Sequence, residues 1–536
     1  MAHVTETFDS ILLEIIRTRL TSLVDEAAKV IVRTSFSMLL NEANDYSCVL
    51  TDESGNVLAQ NTASLPNFIG TLPQTVRHFL REIGAQHMSP GDVLITNNPW
   101  IGTGHLNDVT LVKPIFSKER IVAFAGTTGH VPDIGGKLRS VEPREVFEEG
   151  FHIPPMKLLV GSVADQTLLT LLRRNVRTPD QTVGDIFAQV GALGVMERRV
   201  TSLMDDYRLT SLSGFADELF RRSENAMREA IRALPDGTYR YEMQTDGLDA
   251  PFIFKIALTI RGDEIDADYE GSSPQQPRGI NVVFGYTYAM TAYALKCALL
   301  PWLPNNEGIF RPLSVKAPEG SILNATFPAP VGGRICSGDY VPALVFGALH
   351  QVIPERVGAA AGSPLWSMVL SGLREDGKPF ANVLFYNGGM GATATKDGGN
   401  ALSFPNNVSS TPVEVTERDT PMFVHYKTLR ANSGGDGQFR GGLGQDVLLE
   451  SESDKPVAVV FLAERTQCAA PGLSGGGDGA LGEVIINGVV VDNRRLHVLS
   501  KGDRLLFRTP GAGGYGDASM RDPHSRARDR RLGYRQ

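Results

Sequence analysis

Two histidine–carboxylate pairs stand in one stretch of the chain, "GTGHLNDVTLVKPIFSKERIVAFAGTTGHVPDIGG" at residues 102–136: His105-x-x-Asp108 and His130-x-x-Asp133. Imidazole nitrogen and carboxylate oxygen together suit manganese, zinc or ferrous iron, and three such ligands leave coordination positions open for water or substrate. His105, Asp108 and His130 are the candidate ligands. Asp133 is either a fourth ligand or the acceptor that orients His130. The bland alternative is that each pair hydrogen-bonds within itself and stabilises a loop, and the pattern alone leaves both readings open.

For a joint site, a hairpin must bring the two pairs together. The runs "DVTLVKPIF" and "IVAFAGTTGH" flank the polar loop "SKER", which predicts two antiparallel strands. Pairing Phe116 with Ile121 sets Asp108 opposite Gly129, one position from His130. Neighbours along a strand point to opposite faces, so convergence requires a bulge or a change of loop length, and Pro114 marks a place for it. His105, in the glycine-containing approach "GTGH", folds back over the strand end, and the site is expected in a cavity there. His152 in "EGFHIPPMKL" could line that cavity, or be an ordinary loop histidine. Cys336 in "GGRICSGDY" reads as a buried small residue, and Glu42 and Asp45 as solvated or capping carboxylates.

The rest of the chain bounds the answer. Its 536 residues, 42% hydrophobic and 21% charged, suit a globular protein of several domains. A net charge of -8 argues against a nucleic-acid surface. The four cysteines are scattered, predicting neither disulfides nor a zinc knuckle. The N-terminus lacks the layout of a signal peptide and no apolar run reaches membrane-spanning length, so a cytoplasmic protein with no membrane role is expected. No nucleotide-binding P-loop, kinase set, G-x-S-x-G elbow or H-E-x-x-H is present, so any nucleotide energy is expected from another subunit.

The patterning predicts a mixed α+β (α/β), multidomain fold. Residues 1–160 form a mixed α/β region carrying the metal site, beginning with a long helix capped near Asp9. Residues 161–235 form a helical segment, 236–410 an α/β domain, 411–520 a β-rich domain, and 521–536 a disordered basic tail. Among the 56 glycines, runs such as "SGGDGQFRGGLGQD", "PGLSGGGDGALGE" and "TPGAGGYGD" fall in the C-terminal half, where they predict tight turns and bulges between strands.

Taken in order, "DYSCVLTDESGNVLAQ", "FIGTLPQTVRHFL", "PGDVLITNNPWIGTGHLNDVTLVKPIF", "HVPDIGG", "EVFEEGFHIPPMKL", "TPVEVTE", "SGGDGQFRGGLG" and "TPGAGGYGD" give the chain a resemblance to the hydantoinase B family over nearly its whole length. That family is related to the C-terminal part of 5-oxoprolinase and to the acetone carboxylase alpha subunit. The resemblance implies a manganese-type metal held at the positions of His105, Asp108 and His130, with zinc or iron as alternatives. It implies a hetero-oligomer in which ATP is bound by a hydantoinase A-type ATPase subunit. That partner phosphorylates a cyclic amide substrate, whose ring this chain then helps to open. Asp133 or His152 is expected to transfer the proton. A carboxylase of the acetone or acetophenone kind is the alternative activity, and a noncatalytic scaffold for the ATPase a third reading. One departure bears on the metal: relatives often read N-D-P where this chain has Asn97, Asn98 and Pro99, an amide in place of a carboxylate.

Overall fold

The structure is a computed structural model and describes residues 9–536. Helix α1 (Ser10–Thr34) begins where expected: the Asp9 side chain accepts a hydrogen bond from the Leu12 amide at 2.7 Å and caps the first turn. Its Ile16, Leu20, Val24, Ala27 and Ile31, spaced by three and four, form a fully buried stripe. A short α2 (Met38–Asn41) leads into β1 (Tyr46–Asp52) and β2 (Val57–Gln60), followed by α3 (Thr71–Glu82). Strands β3 (Val93–Thr96), β4 (Asp108–Ser117), β5 (Arg120–His130), β6 (Met156–Val160) and β7 (Val163–Ala164) complete a seven-stranded sheet in the order β2-β1-β5-β4-β3-β6-β7. Alternate residues serve different faces of this sheet. Cys48, Leu50, Val109 and Leu111 join the large core with α1, whereas Val49, Val112 and Phe124 pack against Leu72, Val76 and Phe79 of α3. With both faces covered, β1 is buried along its whole length.

Helices α4 (Gln166–Asn175), α5 (Pro179–Asp206) and α6 (Ser213–Arg232) come next, and α5 packs along α1. A four-stranded sheet follows, from β8 (Gly237–Thr245), β9 (Phe252–Arg261), β10 (Glu264–Asp268) and, after α7 (Phe284–Leu299) and α8 (Glu307–Phe310), β11 (Leu313–Lys316). β10 and β11 are parallel, joined by that helical crossover. Beyond α9 (Ile335–Gly338) and α10 (Val341–Leu349), the chain makes β12 (Trp366–Leu373), β13 (Pro379–Tyr386), α11 (Val413–Asp419), β14 (Met422–Leu429), β15 (Gln445–Ser451), β16 (Val457–Leu462), β17 (Glu483–Ile486), β18 (Val489–Val490), β19 (His497–Leu499) and β20 (Arg504–Arg508). These form two sheets, β13-β12-β16-β19 and β14-β15-β20-β17-β18, sharing a core of residues such as Trp366, Phe461 and Phe507. The mixed α/β architecture with a β-rich C-terminal half is therefore as the patterning predicts.

Three features of the structure go beyond the patterning. One hydrophobic cluster runs from Leu13 to Val357 and takes in Leu462, crossing positions 160 and 235 without a break. The tail is ordered: α12 (Pro523–Arg531) is capped by Asp522, which accepts from the Ser525 amide at 2.8 Å. Asp529, buried among the arginines, takes a hydrogen bond from Arg521 at 2.6 Å, and the Tyr534 ring lies 5.2 Å from the Arg440 guanidinium. The overlooked signals were the Asp-Pro helix start and the one acid able to neutralise a docked arginine.

The glycine clusters, thirdly, do more than turn the chain. Segments around 388–391, 434–442 and 511–514 lie backbone against backbone. A Cβ on Gly389 would sit 1.9 Å from the Gly442 carbonyl oxygen, and one on Gly441 would sit 2.0 Å from that of Ala512. Neither atom belongs to a side chain that can swing aside. Gly389→Ala is expected to cost about 3 kcal/mol or more through overpacking, read as a fall in the urea unfolding midpoint.

Candidate metal centre

β4 and β5 pair as an antiparallel hairpin with Phe116 opposite Ile121, the expected register. The turn is tighter than a four-residue loop: Ser117 pairs with Arg120, and Lys118 takes a left-handed φ of 57°. The next pair is Ile115 with Ala123, so Val122 is the extra residue of a bulge beside Pro114. That single insertion shifts the ladder and sets Asp108 directly opposite His130. Opposed residues of an antiparallel pair point to one face. The bulge is thus what converts two separate sequence pairs into one cluster.

His105 reaches the same point from the loop before β4. Asn97 holds that loop in place, donating to the carbonyls of Leu106 (2.8 Å) and Phe151 (2.9 Å) and accepting from the Ile153 amide at 2.6 Å. Gly104 lets the loop press against the site wall: with φ 102°, it has no room for a Cβ, which would meet Arg334 Cδ at 2.8 Å. His105 Nε2 then lies 2.7 Å, and His130 Nδ1 3.2 Å, from the same oxygen, Asp108 Oδ1. The two imidazole centroids are 4.8 Å apart. One ligand atom from each of the three residues falls within 4.8 Å of the others.

The second carboxylate oxygen is committed elsewhere. Asp108 Oδ2 accepts from Arg334 Nη2 at 2.7 Å and from the Thr103 hydroxyl. Arg334 is itself buried, donates through Nε to the Thr103 carbonyl at 2.7 Å, and lies 4.9 Å from the Tyr286 ring centroid. Tyr286 in turn donates to Asp339 at 2.6 Å. Asp108 is thereby held to present Oδ1 alone to the imidazoles. Burial acts to raise its pKa, but the neighbouring His105 and the Arg334 guanidinium outweigh it and hold the carboxyl well below its usual range. Burial, followed by the Arg334 charge, pushes His105 well below its usual value, which favours the neutral imidazole. An anionic carboxylate beside a neutral imidazole is the protonation state a metal ligand needs.

Not all the expected side chains join this cluster. Asp133 bonds the Arg177 backbone amide through Oδ2 and the Arg177 guanidinium through Oδ1 at 2.6 Å, fixing the approach to α5. His152 is half-buried, and burial lowers its pKa; its Nε2 is enclosed without a hydrogen-bond partner. Neither belongs to the group of mutually close ligand atoms. Asn98 accepts from the Trp100 amide at 3.0 Å and shapes a local turn. Asp45 is buried, not solvated, with Oδ2 3.6 Å from His130 Nδ1. Cys336 is buried too, and burial followed by the Glu464 charge raises its thiol pKa well above normal, away from nucleophilic duty. Arg334 escaped sequence reasoning altogether. Its signal was an arginine inside the small, apolar run "PVGGRICSG", which can be buried only if some distant acid meets it.

The expectation of an open strand-end cavity also needs correction: His105, Asp108 and His130 are at most 3% exposed. The clefts of about 570 and 1050 Å³ are lined by other residues.

The hydantoinase B/oxoprolinase family pattern matches residues 9–518. The chain belongs to the hydantoinase B/oxoprolinase family. It is 30% identical over 545 residues to the B subunit of a putative D-/L-hydantoinase from Pseudomonas sp. (strain NS671), a match covering 96% of this chain and 91% of that one. The crystal structure of ATP-dependent caprolactamase from Pseudomonas jessenii superposes with a TM-score of 0.91 at 29% identity, covering 99% of this chain and 95% of that one. The nucleotide-free structure of acetone carboxylase shares the fold, with a TM-score of 0.88 at 19% identity over 98% of this chain and 78% of that one. Among the described residues of this hydantoinase B-type chain, no helix is long and apolar enough to cross a membrane.

A buried carboxyl outside the cluster, Glu149, makes folding itself sensitive to pH. Glu149 Oε1 accepts from the Gly332 amide at 2.7 Å while Oε2 is enclosed without a partner. Burial pushes its pKa up to about 8. Between the unfolded value near 4.5 and about 8, the folded chain holds a proton that the unfolded chain has lost. Folding stability should therefore fall as pH rises through that window, by up to about 1.4 kcal/mol per pH unit. Glu149→Gln should remove this slope in denaturation curves recorded across pH 5–8, gaining on the parent chain as pH rises.

Proposed function

We propose that this chain is the metal-containing subunit of an ATP-dependent amidohydrolase that opens a hydantoin, oxoproline or other lactam ring. The observation that carries this reading is the convergence of His105, Asp108 and His130 in a chain of this family. Their donor atoms also pass a test of fit. His105 Nδ1 and His130 Nε2 are buried with no hydrogen-bond partner, and Asp108 Oδ1 faces only the two imidazoles, at 2.7 and 3.2 Å. Polar atoms are rarely left so unless something else satisfies them.

His105, Asp108 and His130 would hold a divalent ion, manganese being preferred and zinc or iron possible. Bound there, the ion would supply Lewis-acid polarisation and lower the pKa of water from about 15.7 toward 7. The remaining work belongs to the protein. Arg334 and Thr103 orient Asp108, and the closed surroundings exclude bulk water from the reacting group. Asp133, bonded to Arg177 through both oxygens, is assigned a positioning role. His152 keeps a free Nε2 and is assigned to proton transfer.

An unactivated lactam is a poor electrophile, and phosphorylation of its oxygen provides a leaving group. In this proposal a partner of the hydantoinase A type holds ATP and performs that step, and the names of the hydantoinase and caprolactamase relatives are consistent with such a complex. The test is ATP turnover by the chain co-purified with its partner, using hydantoin, 5-oxoproline and caprolactam. Turnover coupled to ring opening without bicarbonate is expected. Incorporation of labelled bicarbonate into product would replace the hydrolase by a carboxylase.

A further inference from the structure

A cleft of about 570 Å³ opens between the C-terminal turns of α7, the end of α10 and the segment following β2. It contains none of the metal-centre residues. Its walls include Tyr293, Phe346 and Phe404; Phe346 and Phe404 are stacked at 6.1 Å, and Tyr293 lies 6.1 Å from Phe404. The charged residues lining it are Lys296 and Arg356, and no aspartate or glutamate lines it at all. That is an unusual balance for a chain with net charge -8.

Lys296 is part-buried, yet it makes no ion pair among the described residues. Its hydrogen bond, to the Pro301 carbonyl, is long at 3.4 Å. A position in the last turn of α7 favours a cation through the helix dipole but supplies no counter-ion for one withdrawn from water. Burial lowers the pKa of its ammonium, and no carboxylate opposes the shift. Arg356 is little better matched: its nearest acid, Glu355, is 3.9 Å away, and both side chains are at least half exposed. Asn305 Oδ1 and Ser403 Oγ are enclosed in the same wall without partners. Apolar rings, a few unsatisfied polar atoms and an unpaired cation are what a pocket for a small organic anion requires, and the volume suits one.

We propose that this cleft is a second binding site, taking a small molecule with an apolar body and a carboxylate. The carboxylate pairs with Lys296, Arg356 adds to the attraction, and the apolar body lies against Tyr293, Phe346 and Phe404. The proposal goes beyond the metal centre and does not rest on it.

Calorimetric titration of the full chain with 4-phenylbutyrate and with its neutral amide, 4-phenylbutyramide, tests this directly. The acid is expected to bind at least about tenfold more tightly than the amide, a difference of about 1.4 kcal/mol. Lys296→Met should remove that preference, and added salt should weaken the acid but not the amide. Circular dichroism checks that the variant is folded; if it is not, exposed Arg356→Met serves in its place and should weaken the acid severalfold. Equal binding of acid and amide, no binding of the acid at millimolar concentration, or a folded Lys296→Met chain that binds the acid like the parent would each overturn the proposal.

Discussion

Asp108→Asn is expected to lower ring-opening turnover by at least about a hundredfold and to abolish retention of a divalent ion. The substitution keeps the shape of the side chain, so the effect isolates its charge. Asp108 Oδ1 is the one oxygen approached by both His105 and His130, and no other carboxylate lies in that group. The nearby Asp45 is poorly suited to take over, because burial raises its pKa and disfavours the anion a ligand needs. The change should also cost about 3 kcal/mol of stability, since Arg334 would be left buried without its counter-charge. Turnover must therefore be measured where circular dichroism shows the variant folded. A folded Asp108→Asn chain with parental turnover would leave the cluster a structural feature only.

Arg334→Met should produce the second-largest effect. The guanidinium joins Asp108 and the Thr103 carbonyl and lies on the Tyr286 ring, so its loss strands a carboxylate in the interior and frees it to rotate. A destabilisation of about 3–5 kcal/mol follows from breaking a buried ion pair. Metal affinity should fall about 10- to 100-fold, the usual consequence of losing a group that orients a ligand. Arg334→Lys separates the two effects: it returns the charge but not the planar fork, and should recover stability more fully than metal affinity. If both variants bound metal as the parent does, Arg334 would serve folding alone.

Much of this arrangement could be read from residues close together in the chain. The Asp9 cap, the α1 stripe and the β4–β5 hairpin depend on local chemistry, and each formed where its pattern placed it. Even the need for a bulge could be anticipated, because period-two alternation makes a one-residue mismatch visible. Contributions from distant segments could not be seen this way. Arg334 is 226 positions from Asp108, and nothing in either segment names the other. Asp45 looked solvated because a short polar stretch gives no hint that His130 will cover it. Asp133 shows the opposite error: its spacing copies that of Asp108, but Arg177, 44 residues on, claims it. The glycine segments lie edge to edge across more than 100 residues of sequence, so composition marked them as special without showing that close backbone contact was the reason.

The central claim is that His105, Asp108 and His130 hold one divalent ion. Anomalous diffraction at the manganese edge, from crystals grown with manganese, tests it most directly. A single strong peak within bonding distance of His105, Asp108 Oδ1 and His130, absent from Asp108→Asn crystals, is the expected result. Well-ordered parental crystals with no peak between these side chains, or with the ion seated on other residues, would contradict the account.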